Sequence, residues 1–212
     1  MIKVIKKHIF WILAFQRRNY FGRILSSLSK SILNALDNKI NDSYFRGEYW
    51  FLKKIDYSKI NIVFDVGANV GLWSQEIKSR KSEIEIHAFE SVPAIFELLE
   101  MQLAELKSVY ANLLALSDCI GKMDFNYYSD RSYFSSFYEN GLGADSQKIT
   151  VKTLTGDYYC EFNRIDKIDF LKIDTEGFES KVLFGFKRMI DERKIQLIQF
   201  EYGPKAIDSK FL

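Results

Sequence analysis

From residue 60 onward the chain alternates short apolar runs with amphipathic stretches, and this alternation limits the fold more than any other feature. Residues 60–66 are almost continuously apolar, which suits a strand buried on both faces of a parallel sheet. Residues 72–79 then read as a helix and residues 84–90 as a second strand. Pro93 opens another helix, whose run over 94–106 carries Ile95, Leu98, Leu99 and Met101. A third strand over 109–116 completes a βαβαβ series. Two further strands, 122–128 and 148–154, flank a polar, aromatic loop holding Tyr133, Phe134, Ser135, Ser136 and Phe137. The alternation resumes with a strand at 168–174, a helix at 177–190 and a strand at 195–201. This order predicts an α/β fold: an open, mostly parallel sheet with helices on both faces and right-handed crossovers.

Ligands of such sheets lie beyond the carboxyl ends of the strands, where the strand order reverses. Chemistry is therefore expected just after Val66, Phe89, Leu116, Ile173 and Phe200. Those places hold Gly67, Glu90-Ser91, Ser117-Asp118, Asp174-Thr175-Glu176 and Glu201, although the runs before them are largely apolar. Carboxylates sharing a rim repel one another unless a ligand's donors or a cation stand between them, which favours a site. Helix capping is the plainer reading for Ser91, Asp118 and Thr175, and one residue can serve both ends.

The glycines narrow the ligand. Gly67-Ala68-Asn69-Val70-Gly71 opens a helix directly after a buried strand, as a nucleotide-binding turn requires. Aligned on Gly67, the dinucleotide pattern GxGxxG meets Asn69 at its second glycine and Leu72 at its third. A side chain where a diphosphate should touch backbone argues against NAD or FAD, and the Lys-Ser/Thr of a phosphate-binding loop is absent. A nucleoside without phosphate fits instead. Glu90, nineteen residues beyond Gly71, is placed to accept from both ribose hydroxyls, and Asp118 from an exocyclic adenine amine. Those needs describe S-adenosylmethionine.

Four segments carry a resemblance: 63–71 (VFDVGANVG), 88–93 (AFESVP), 115–118 (ALSD) and above all 168–179 (IDFLKIDTEGFE). In this order and spacing they resemble the FkbM family of S-adenosylmethionine-dependent methyltransferases, over roughly residues 48–203. The resemblance implies a class I, Rossmann-like methyltransferase fold and O-methylation of a sugar or polyketide hydroxyl. The stretch 47–54 (GEYWFLKK) is similar to members with surface-polysaccharide functions, so the expected acceptor is a hydroxyl of a sugar or polysaccharide precursor. Such folds continue past the fifth strand with a helix and an antiparallel strand pair, whereas this chain stops at Phe211-Leu212. The expectation is a truncated chain lacking that pair, with Ile195, Leu197, Ile198 and Phe200 on an uncovered edge strand. A second reading follows: a cofactor-binding or scaffolding protein that has lost the C-terminal part of its acceptor site.

Methyl transfer from a sulfonium is an in-line displacement that asks the protein for alignment and for help in removing the hydroxyl proton. Asp65 and Gly67 are expected at the methionine end, where the helix after Gly71 offers amides to a carboxylate. Ala68, Asn69, Glu90, Ser91, Ser117 and Asp118 complete the expected cofactor-binding set. Lys172, Asp174 and Glu176 are the expected catalytic residues, with Glu179 and Glu201 as further candidates for the proton. Phe170, Lys172 and Asp174 share one strand face, so a buried ion pair is favoured for Lys172 over a base. His87 sits mid-strand, away from the carboxyl end, and reads as a packed, hydrogen-bonded core residue. Asp174, Glu176 and Glu201 are the alternative set for a magnesium ion, disfavoured because no His or Asn joins them.

Charge separates the chain's start from its body. Residues 1–60 carry 12 Lys and Arg against 4 Asp and Glu, a balance of +8 within an overall +2, so the remainder stands at −6. An acidic body argues against a nucleic-acid groove, which needs cations along its contact face. Residues 1–45 read as a basic amphipathic helical arm, with Leu25, Leu28, Ile32, Leu36 and Ile40 as its stripe, and residues 46–212 as the methyltransferase domain. The apolar run at 9–15 is too short to cross a bilayer and lacks a cleavage site for export. The arm's stripe is expected to pack on the domain or on a second copy in a homo-oligomer. The competing expectation is peripheral contact of residues 1–24 with an anionic inner membrane surface. Two cysteines, Cys119 and Cys160, give no disulfide framework, and a reducing cytoplasm suits the chain.

Overall fold

The computed structural model describes residues 48–127 and 147–201, together with Ser29, which is helical and exposed. The rest of the expected arm, the aromatic loop at 133–138 and the chain end at Phe211 and Leu212 lie outside the described residues. The chain divides into two units, 1–55 and 56–212. In the first, helix α1 (Glu48–Leu52) closes on a turn in which Lys54 N–H donates to the Phe51 carbonyl at 2.8 Å and its ammonium lies over the Trp50 ring. Among the described residues no helix is long and apolar enough to cross a membrane.

The second unit holds the sheet. After a 3-10 turn at Tyr57–Lys59 come β1 (Ile62–Val66), α2 (Leu72–Arg80), β2 (Glu85–Glu90), α3 (Pro93–Leu103) and β3 (Val109–Leu113). Then follow β4 (Ala115–Leu116), β5 (Gly121–Tyr127), β6 (Gln147–Leu154), α4 (Gly156–Phe162), β7 (Phe170–Ile173), α5 (Glu179–Gly185), α6 (Lys187–Asp191) and β8 (Ile198–Phe200). Five strands form one sheet in the order β3-β2-β1-β7-β8, every pairing parallel. A second sheet, β4-β6-β5, pairs β4 with β6 in parallel and β5 with β6 antiparallel. The order reverses between β1 and β7, which sets the crevice.

The period of two assigns the faces. Phe64, Val66, Phe89, Leu171 and Ile173 join one buried cluster with Tyr159 and Cys160 of α4, Val182 of α5 and Met189 of α6, around Phe186. Ala88 points the other way, clustering with Leu99 and Leu103 of α3, and Trp73 of α2 meets Phe170 edge-on at 5.3 Å. Helices therefore cover both faces, as the alternation predicts. Buried Asp169 aligns β7 with β1 by accepting the Asn61 and Ile62 N–H groups at 2.8 and 3.0 Å. On the far side β8 ends the described sheet, half-buried except for exposed Phe200.

Three local departures from the expected elements matter. The run read as one strand over 109–116 breaks at Leu114: β3 stays in the main sheet while Ala115 and Leu116 join β6. The single helix expected at 177–190 divides at Phe186 into α5 and α6. Helix α4 was not expected; its N-cap Thr155 accepts the Tyr158 N–H.

Candidate active site

A cavity opens at the carboxyl ends of β1, β2, β3 and β7. Its lining takes Gly67 and Asn69 from the first turn, Glu90, Ser91 and Val92 after β2, Leu114 to Leu116, and Asp174, Thr175 and Glu176 after β7. Phe89, Ile95, Phe125 and Phe178 supply apolar wall. This is the switch-point crevice, with acidic groups on two sides and an apolar flank made by α3 and the second sheet.

The first turn is shaped by close approach. Gly67 has φ +76°, and a Cβ there would stand 1.9 Å from the Asp174 carbonyl oxygen, so β1 and β7 can come together only over a glycine. Asn69 also lies in the left-handed region, at φ 50°, which Asn adopts more readily than most residues. Its N–H donates to Glu90 Oε2 at 3.1 Å, while the Val92 N–H donates to Glu90 Oε1 at 2.8 Å. One buried carboxylate thus ties the glycine turn to the start of α3. Burial pushes the Glu90 carboxyl above its ordinary value, against the pull of those N–H groups and of the Lys172 charge.

Beneath the turn lies a buried ion pair. Asp65 is fully buried, accepts the Ser74 hydroxyl at 2.7 Å and stands 3.0 Å from Lys172 Nζ. Lys172 also donates to the Gly67 carbonyl at 3.1 Å and lies 3.7 Å from Asp174 Oδ2. Neither Asp65 nor Lys172 lines the cavity, nor do Ala68 and Gly71, which shape the turn. Lys172 is in a buried ion pair, and its nearer partner is Asp65 across the β1–β7 register rather than Asp174 on its own strand face.

On the opposite wall, Asp174 and Glu176 line the cavity and Glu201 stands beside them, with one oxygen of each carboxylate within 4.8 Å of the others. The alternative metal set is therefore assembled in space, but acidic groups often gather without an ion. Glu176 holds a left-handed backbone, φ 56°, before Gly177 at φ 100°. Buried Glu179 explains how that loop is held: its Oε1 accepts the Thr175 N–H, the Thr175 hydroxyl and the Gly177 N–H at 2.9, 3.1 and 3.1 Å. With those contacts Glu179 shapes the loop from below.

Ser117 and Asp118 stand off the lining. The break at Leu114 brings Ala115 and Leu116 to the cavity and carries the next two residues away. Ser117 is fully buried and gives its hydroxyl to Asp118. Asp118 accepts from Lys181 at 2.6 Å, and that bond holds its carboxyl below the ordinary range. His87 is likewise remote: Nδ1 meets the Tyr159 hydroxyl at 2.8 Å and Nε2 meets Glu85 at 2.9 Å, and burial lowers its pKa. Among lining residues, Leu114, Ile95 and Phe125 were not expected in the site. An apolar wall carries no local sequence signal beyond that of a core.

Residues 65–211 match the family model described as the methyltransferase FkbM domain. The chain is 28% identical over 167 residues to methyltransferase sdnD of Sordaria araneosa, a match taking in 65% of this chain and 63% of that protein. It is 27% identical over 152 residues to the hexuronic acid methyltransferase AglP of Haloferax volcanii, taking in 69% of this chain and 59% of that one. The chain thus spans less than two thirds of the length of either relative. A crystal structure of methyltransferase FkbM from Methylobacillus flagellatus KT aligns with a TM-score of 0.43 at 14% identity, covering 82% of this chain and 49% of that one. With the family model matched over most of its length, the chain belongs to the methyltransferase FkbM domain family.

Proposed function

We propose that this chain binds S-adenosylmethionine and methylates a hydroxyl of a sugar or polysaccharide precursor. The carrying observation is the Glu90 carboxylate at the tip of β2, held against the Asn69 amide and lining the same cavity as Asp174 and Glu176. Its fit to an adenosyl group rests on acceptor capacity. Its two oxygens accept the Asn69 and Val92 N–H groups, the Ser91 N–H also faces them, and a carboxylate's roughly four acceptor sites leave room for a ribose hydroxyl. Gly67 lines the same cavity, and no phosphate-binding lysine pattern accompanies it.

S-adenosylmethionine supplies an electrophilic methyl group. The protein's own part is binding, alignment and proton handling. Glu90 and the first turn hold the nucleoside, and the apolar flank of Val92, Ile95 and Phe125 excludes water from it. Asp174 and Glu176, on the opposite wall, are placed to orient an acceptor hydroxyl and to take its proton as the oxygen attacks. The sugar acceptor draws support from the relative named as a hexuronic acid methyltransferase.

Calorimetric titration with S-adenosylhomocysteine and, separately, with NAD tests the cofactor. Binding of the former alone is expected, and binding of NAD alone would overturn the assignment. A labelled-methyl assay across neutral and acidic glycans then tests the acceptor, with transfer to a hydroxyl as the expected product.

A further inference from the structure

Lys172 is 4% exposed, yet its ammonium sits where several segments meet. It stands 3.0 Å from Asp65 of β1, donates to the Gly67 carbonyl of the first turn at 3.1 Å, and lies 3.7 Å from Asp174 at the tip of β7. Trp73 of α2 places its ring 5.9 Å away, and the neighbouring Ser74 completes the shell by donating to Asp65. Gly67 and Asp174 both line the cavity, so a single cation that donates to one and stands beside the other meets the first turn and the tip of β7 without entering it.

Two roles are open to such a group. A buried ion pair can simply cancel charge; its replacement by neutral residues of similar shape is then neutral or stabilising, and the site is indifferent to the change. Here the contacts run further than the pair. The Gly67 carbonyl is not a charge to be cancelled, and Glu90, across the turn, feels the same cation. The groups facing Glu90 are the Asn69 N–H from the turn, the Ser91 and Val92 N–H groups leading into α3, and Lys172 from β7.

We infer that Lys172 is a positioning residue for cofactor binding: through the Gly67 carbonyl and the Asp174 carboxylate it holds the first turn to the tip of β7 at the cofactor pocket, and its charge supports the Glu90 carboxylate. This rests on the cofactor assignment above. It gives Lys172 a role outside proton transfer, since its ammonium pairs with Asp65, donates to the Gly67 carbonyl and does not line the cavity.

The test uses the full chain and S-adenosylhomocysteine, followed by calorimetry across pH. In the double variant Lys172→Met/Asp65→Asn both buried charges are removed together, so charge cancellation is preserved. The expected result is a folded protein whose affinity at neutral pH is about tenfold weaker, with the loss of binding on acidification starting at a higher pH than in the parent. Lys172→Arg keeps the charge and is expected to keep the parent's pH midpoint. A double variant that binds within twofold of the parent, with the same midpoint, overturns the inference while leaving the cofactor assignment standing. If the double variant does not fold, Lys172→Arg decides alone, and a displaced midpoint in it overturns the inference. Failure of the parent chain itself to bind S-adenosylhomocysteine removes both.

Discussion

Of two buried polar networks in this sheet, one opens onto the cavity and the other does not. The first joins Asp65, Lys172, Gly67 and Glu90 at the carboxyl ends of β1, β7 and β2. The second joins Glu85, His87, Tyr159 and Asn112 where β2 and β3 meet α4. By residue type the second is the more suggestive, with a histidine between a carboxylate and a phenol. Its ring nitrogens are both engaged, Tyr110 stacks on the ring at 5.1 Å between centroids, and none of its members lines the cavity. Place along the strand, not side-chain type, separates a binding network from a packing one, because the ligand crevice of such a sheet lies at its carboxyl edge.

The sharpest way to break this contrast is at the first turn. Gly67→Ala puts a methyl group 1.9 Å from the Asp174 carbonyl oxygen on a backbone with φ +76°. Displacing β7 from β1 should cost about 3 kcal/mol or more and abolish S-adenosylhomocysteine binding. Thermal unfolding and calorimetry read the two losses, and a chain with parental stability would show that the strands do not meet as described.

Next comes Glu90→Gln, which removes the charge and one of two acceptor oxygens. An affinity loss of roughly 30-fold, about 2 kcal/mol, is expected in a chain that remains folded. The same carboxylate sets the pH dependence. Burial raises its pKa before ligand binds, and donors to its ionised form lower it afterwards. Affinity is then level above the ligand-free value and falls as the pH drops through it, with a proton released on binding in that window. Glu90→Gln should flatten this profile; an unchanged profile would place the titrating group elsewhere.

The second network predicts the reverse division. Tyr159→Phe deletes the hydroxyl shared by His87 and Asn112, so it should cost about 1–2 kcal/mol of stability and leave S-adenosylhomocysteine affinity unchanged. His87 adds a pH signature. Its folded pKa is depressed by burial, so between that value and about 6.5 the unfolded chain takes up a proton that the native chain refuses. Stability contributed by the neutral ring is present above that window and lost as the pH falls through it. Melting temperatures across pH 5 to 8 check the direction.

The parts legible in the sequence are those with a local cause. A nearly continuous apolar run marks β1 because a strand covered on both faces admits few polar residues, buried Asp65 being matched by Lys172, and the strand-end groups Gly67 and Glu90 stand where the edge begins. The break at Leu114 leaves little mark, since residues 109–116 hold no Gly or Pro and the change of partner is decided by β6, more than thirty residues later. Helix α4 hides because seven residues with Tyr158 and Phe162 exposed give too little periodicity to read. Glu179 was legible as an acidic residue in a motif but not as the acceptor of three donors, because its role depends on the chain turning back over it.

The smallest expected effect tests the place where that hidden break matters most. A continuous third strand would deliver Ser117 and Asp118 to the cavity, and the observed break leaves Asp118 paired with Lys181 outside it. Lys181→Met frees the carboxylate while leaving it in place. The pair is partly exposed, with 41% and 30% of the two side chains accessible, so its loss should cost at most about 1 kcal/mol. If Asp118 stands off the pocket, S-adenosylhomocysteine affinity should stay within about twofold, a change too small to signal a gained or lost hydrogen bond. Tighter binding in this variant, abolished again by adding Asp118→Asn, would instead return Asp118 to the adenine amine that the strand-end pattern assigns to it.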